Sequence, residues 1–205
     1  KNLVAAVILL AVVGVAGALR RRDPAALADR VALTARHWLG LVAVGVVGGS
    51  VAFVLFFEGL ARASSPQAAF IQKSLVVWVA LLAVVLLKER MGWAHWAAIG
   101  LLLVGQAGLA HAGRFPFDSG AAMILGATLL WSVEVIIVKR LLADVPSTTV
   151  GAARMGIGAV VLLGWLAIRG ELNALTGLTG IQLRWLAVTG VLLAAYVSFW
   201  FAALA

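Results

Sequence analysis

FVLFFEGLARASSPQAAFIQKSLVVW, residues 53–78, decides how this chain is read. Two apolar runs flank a short polar turn, Ser64-Ser65-Pro66. Each run carries one ionisable side chain, Glu58 in the first and Lys73 in the second. The two lie equally far from the turn, so a helical hairpin brings them to the same depth. In water that would mean little. In lipid an ionisable side chain needs a partner or a wet cavity, and is a functional candidate for that reason.

Composition places the chain in lipid. Hydrophobic residues make up 64% and charged residues 12%, with a mean hydropathy of +1.10. Soluble domains average about 45–50% apolar and about 25% charged. The excess is gathered into runs near the ~20 residues that cross a bilayer as a helix. Barrel strands need only about 9–11 residues and alternate in polarity, so the runs predict helices. Cysteine is absent, which excludes disulfides, thiolate metal sites and cysteine nucleophiles. The formal charge of +8 sits between the apolar runs, so it reads as topology rather than as nucleic-acid binding.

Seven spans are expected, at roughly 2–19, 38–61, 67–87, 92–112, 119–140, 148–168 and 182–205. All four prolines fall between them, where a missing amide hydrogen costs least. Nine of the basic residues between spans lie in three alternate connections: 20–37, 88–90 and 139–147. Four lie in the others. The positive-inside rule then makes those three connections cytoplasmic and turns the Glu58/Lys73 hairpin on the outer side. The chain starts at Lys1 within one apolar run and ends at Ala205 within another, and is expected to be a fragment.

An internal repeat is visible. KNLVAAVILL at Lys1 aligns with RMGIGAVVLL at Arg154, and WLGLVAVGVVGGSVAFVLFFEGLA with WLAVTGVLLAAYVSFWFAALA. The first two spans then correspond to the last two, with a repeat of five. An odd repeat inverts the second copy relative to the first, as in many transporters, whose binding site lies near the midplane at the repeat interface.

Three stretches stand out: Gly45-Val-Val-Gly48 leading through FVLFFEGLA to the serine turn, LLKERMGWAHWAAIGLLLVG (86–105), and LLWSVEVIIVKRLL (129–142) followed by Arg154 in GAARMGIGAVVLL. In their order and spacing they resemble the drug/metabolite transporter superfamily, in its EamA-like branch. The resemblance covers essentially the whole chain and implies an all-α polytopic bundle. The implied protein has ten spans in two inverted five-helix repeats, with both termini cytoplasmic. The chain would hold seven of those spans, the second to the eighth. Residues 1–112 would form most of the first repeat, lacking its first span. Residues 113–205 would begin the second, lacking its last two. An exposed groove is expected where the missing spans would pack. Glu58 and the Gln72-Lys73 pair depart from the mostly apolar family pattern.

Glu134 and Arg154 are the leading site candidates. Each is ten positions from Asp144 in the turn between two spans, so antiparallel neighbours would place them at similar depth. A carboxylate and a guanidinium form a bidentate pair that keeps both charged in a poor solvent. Substrate or a proton could open such a pair; a purely structural clamp is the competing reading. Glu58, Lys73 and Gln72 come second. Arg62, four residues beyond Glu58, offers it a simple partner, and Lys73 has a stem long enough to snorkel. Trp78, Trp131 and Tyr196 are expected to line the site, with interfacial aromatic belts as the alternative. Gly45, Gly48, Gly49, Gly151, Gly156 and Gly158 are read as close-packing positions.

No catalytic residue, metal site or cofactor is expected. The three histidines show no metal-ligand spacing, and no phosphate loop is present. The whole reads as a multi-pass protein of the cell (inner) membrane and not an enzyme. It is expected to be a secondary transporter of a small metabolite, amino acid or drug-like molecule, working by alternating access. The alternative is a non-transporting scaffold or sensor. Its partners would be a small-molecule substrate and membrane lipid, not nucleic acid; a homodimer is compatible with this reading.

Overall fold

The computed structural model describes residues 33–109, 117–172 and 177–204. Every regular element in these stretches is helical. The expected span at 2–19 lies outside the described residues, as do most of the basic residues of the 20–37 connection.

Six helices follow in order: α1 (Ala35–Leu60), α2 (Ser65–Leu86), α3 (Trp93–Leu109), α4 (Ser119–Leu141), α5 (Ser147–Ile168) and α6 (Gly180–Leu204). All but α3 are long and apolar enough to cross a membrane. They match the expected spans from 38–61 onward to within a few residues.

The helix starts are written in short polar signals. Thr34 caps α1: its hydroxyl accepts the His37 amide at 3.3 Å, and His37 Nδ1 accepts the Thr34 amide at 3.3 Å. This is a capping box with histidine in the place of glutamate. Ser64 caps α2 by accepting the Gln67 amide, with Pro66 in the first turn. Asp118 caps α4 through a 2.8 Å bond from the Ala121 amide. Thr179 and Gln182 form a second capping box at α6.

Two helices are irregular near their middles, which the spans read as uniform did not anticipate. α1 is π-helical over Val44–Val51. Gly48, Gly49 and Ser50 sit there, and clustered glycine and serine are a common cause of helix distortion. α2 is interrupted at Ser74, which ends Ser65–Lys73 and begins Leu75–Leu86. The Ser74 amide and hydroxyl both donate to the Ile71 carbonyl, at 3.1 and 2.6 Å. A carbonyl occupied three residues back pulls the helix out of its i to i−4 ladder.

Two helix ends use left-handed backbone. After α5, Gly170 has φ of 68°, with Gly170 N donating to Ala167 and Glu171 N to Leu166, a Schellman end. After α2, the same region is taken by Lys88 at φ 56°. Left-handed backbone costs a side-chain-bearing residue about 1–2 kcal/mol. Gly170→Ala is therefore expected to destabilise the protein and Lys88→Gly to stabilise it, each by about 1 kcal/mol. Thermal unfolding in one detergent checks both; equal signs for the two variants would contradict the backbone argument.

The chain forms two compact units. Among the described residues, one holds those up to Ser50 together with those from Val138 onward, and the other those between Val51 and Ile137. In the first, α5 packs against α1 and against α6. Its buried residues include Leu41 and Val44 of α1, Val150, Met155 and Ala159 of α5, and Val197 and Phe201 of α6. In the second, α4 packs on the later part of α1 through Gly59, where an added Cβ would lie 2.7 Å from Ile124 Cγ1 and 2.8 Å from the Gly120 carbonyl. Many large aliphatics stay exposed, among them Leu101, Ile168 and Phe199. Such a surface suits lipid, where an outward leucine costs nothing.

Candidate functional site

The candidate residues fall into two sets, one in each compact unit. α4 carries the polar core of the second unit: Thr128, Ser132 and Glu134 are all buried. Thr128 and Ser132 donate their hydroxyl protons back to the carbonyls of Ile124 and Leu129, at 2.8 and 2.7 Å. That satisfies both within the helix. Glu134 is 4% exposed, the most buried ionisable side chain among the described residues. One turn earlier on the same flank, Trp131 packs edge-on against Phe53 and tilted against Phe56, both centroids at 5.4 Å. An aromatic wall thus stands beside the carboxylate-bearing flank of α4.

Arg154 belongs to the first unit and lies half-buried on α5. Its Nη2 donates to the Gly48 carbonyl in the π-helical part of α1, at 3.3 Å. The close approach comes from glycine. A Cβ on Gly49 would lie 2.5 Å from the Arg154 carbonyl oxygen, and one on Gly158 2.5 Å from the Gly49 carbonyl oxygen. Gly45 sits against Ile157, and Gly151 against Val197 and Phe201 of α6. Four of the glycines read as packing positions therefore make such contacts. Gly156 does not: a Cβ there would meet nothing within 4 Å. It borders an apolar groove of about 450 Å³, whose other walls include Trp38, Leu41, Thr149, Ile157 and Val160. None of the predicted site residues lines that groove.

Of the second-rank candidates, Glu58 takes the partner that its spacing offered. Arg62 Nη1 bonds Glu58 Oε2 at 3.0 Å and the Glu58 carbonyl at 2.6 Å. Both side chains are partly exposed, so the pair is worth little: about 0.3–0.5 kcal/mol for such i, i+4 pairs. A double-mutant cycle with Glu58→Gln and Arg62→Gln should give a coupling below about 1 kcal/mol. A larger value would raise Glu58 to the first rank. Lys73 is exposed and Gln72 half-buried, at the end of the first half of α2. Trp78 donates its indole N–H to the Ser74 hydroxyl at 3.2 Å and belongs to the irregularity of α2. Tyr196 is 59% exposed on α6 and stacks on Trp200, centroids 6.1 Å apart.

Sequence reasoning missed Ser50, Ser74, Thr128 and Ser132. Their signal was present: small hydroxyl residues within apolar runs, where each must bond its own backbone. Ser50 does this twice, donating toward the carbonyls of Val46 at 2.7 Å and Gly45 at 3.2 Å. Among the described residues, no three His, Cys, Asp or Glu side chains gather as a metal site would require.

Long apolar helices with buried polar residues define a multi-pass helical membrane protein. The sequence model of the EamA-like transporter family matches residues 2–110 and 118–205. The chain belongs to the EamA-like transporter family, whose members are membrane transporters of small molecules rather than enzymes. No curated protein gives a significant match to the chain.

Proposed function

We propose that the protein is a secondary transporter that carries a small metabolite, amino acid or drug-like molecule across the cell (inner) membrane by alternating access. The observation that carries this reading is Glu134, a carboxylate at 4% exposure inside a membrane-spanning helix, beside the aromatic wall of Trp131. A buried carboxylate in lipid costs stability at any plausible magnitude, so it is a functional group before it is a structural one. Arg154, on α5 in the first unit, is proposed separately as a binding or coupling residue. The break in α2 and the π-helical stretch of α1 support the same reading, since transporters place irregular helix where substrate and coupling ions bind. The two matched segments, 2–110 and 118–205, support a chain drawn from two repeats. On that proposal seven spans of ten are present, the repeats are inverted, and residues 1–112 and 113–205 belong to different repeats.

The deciding measurement is substrate-dependent flux by the complete protein in liposomes, across a panel of amino acids, organic acids, nucleosides and cationic drugs. Flux of any one, saturable and absent from empty vesicles, is the expected result. A folded, pure protein that moves nothing across the panel would sink the transport reading.

A further inference from the structure

The stretch Val44–Val51 is π-helical within a membrane-spanning helix, and three of its carbonyls are held by side chains. Ser50 Oγ spans the carbonyls of Val46 and Gly45, its fourth and fifth predecessors. Arg154, from the neighbouring α5, reaches the carbonyl of Gly48 at 3.3 Å. An α-helix bonds each carbonyl to the fourth residue on; a π-helix bonds it to the fifth, is rarer, and clusters at functional sites. A hydroxyl placed between the fourth and fifth predecessors fits the wider turn. A guanidinium on the next carbonyl but one adds a charged donor to the same stretch.

We propose that Arg154 is a positioning residue that latches α1 in its π-helical register, with Ser50 as the second clasp. The two make one device because they hold carbonyls of one turn, from two different helices. Gly45 and Gly49 are what bring α5 near enough: neither has a Cβ to keep Ile157 or the Arg154 backbone away. Released from the latch, the stretch relaxes to the commoner α-helical ladder. That shifts the helix leaving Val51 by about one residue, or roughly 100° of rotation. α1 then has two discrete registers rather than a continuum, the kind of two-state element that a switching protein needs. The 3.3 Å bond to a neutral carbonyl is long, and bonds from guanidinium to an anion are shorter and roughly twice as strong. An anion arriving at Arg154 is therefore chemically able to open the latch.

The test is hydrogen exchange on the complete protein in nanodiscs, read on peptides covering residues 44–52. Arg154→Met should speed exchange there about tenfold, the size of one lost hydrogen bond to a charged donor. Peptides across the Gly151–Phe201 contact should keep their wild-type rates. Arg154→Lys, which keeps the charge without the fork, should restore part of the protection. Ser50→Ala, with Arg154 intact, should speed exchange over the same residues. Unchanged rates over 44–52 in Arg154→Met would overturn the latch, as would acceleration spread evenly through α5 and α6. If Arg154→Met does not fold, Ser50→Ala decides by the same criterion. The readout needs no substrate, so a protein with an intact latch and no flux would sink only the transport reading.

Discussion

Gly158→Ala is expected to lower the unfolding free energy by about 1–3 kcal/mol, while the same change at Gly156, two residues earlier, raises it. At Gly158 the new Cβ would lie 2.5 Å from the Gly49 carbonyl oxygen, 2.8 Å from its carbon and 2.9 Å from its Cα. These are backbone atoms of a membrane-spanning helix, and no rotamer change can move them. α1 and α5 must separate, and the close packing between them is lost over several residues. The helix gains from alanine, up to about 1 kcal/mol over glycine, but that is smaller than the packing it breaks. At Gly156 nothing stands within 4 Å, so only the gain remains. Unfolding of the complete protein by heat or by SDS in mixed micelles measures both. Two changes of equal sign would show that glycine acts here through helix propensity and not through contact. Gly49→Ala should match Gly158→Ala, since its Cβ meets the Arg154 carbonyl oxygen at 2.5 Å.

Glu134→Gln is expected to cut transport about ten- to a hundredfold, the equivalent of about 1.4–2.8 kcal/mol, while the protein still folds. Glutamine keeps the volume and a hydrogen-bonding carbonyl but loses the charge and the titratable proton. If Glu134 binds a cationic part of the substrate, apparent affinity falls. If it carries a coupling proton, the dependence of flux on the pH gradient disappears at saturating substrate. Either change supports the reading. A structural clamp gives another pattern: lower thermal stability, with flux per folded molecule retained. Measuring flux and unfolding on one preparation separates these cases. Normal flux with normal gradient dependence would remove Glu134 from the mechanism.

The helices from 38–61 onward were legible because run length and the placement of prolines between runs mark where a long apolar helix starts and stops. The caps went unread, although Ser64, Asp118 and Thr179 stand where the runs begin. The shape within a span was not legible. Hydropathy averages over a run, and neither the π-helical stretch of α1 nor the interruption at Ser74 changes the average. Both follow from hydroxyls bonding their own backbone, a local competition that a count of apolar residues does not register. Spacing alone assigned Glu58 its partner, because i and i+4 lie on one face whatever the surroundings. For Trp131 the surroundings decide: Phe53 and Phe56 lie far from it in sequence, and only the fold brings them to its ring.

The interruption at Ser74 also bears on how the protein is made. It divides α2 into pieces of 9 and 12 residues, each short of the ~20 that cross a bilayer alone. Insertion must therefore read Ser65–Leu86 as one segment, with Lys73 close to its centre. A lysine there costs about 2.5–3.5 kcal/mol in the translocon, against about 0.3–0.6 kcal/mol gained from each Leu, Ile, Val or Phe. The segment has eleven of those, so one side chain cancels on the order of half of their contribution. α2 is thus a weak insertion signal, and a neighbouring span that enters the bilayer with it would secure its place there.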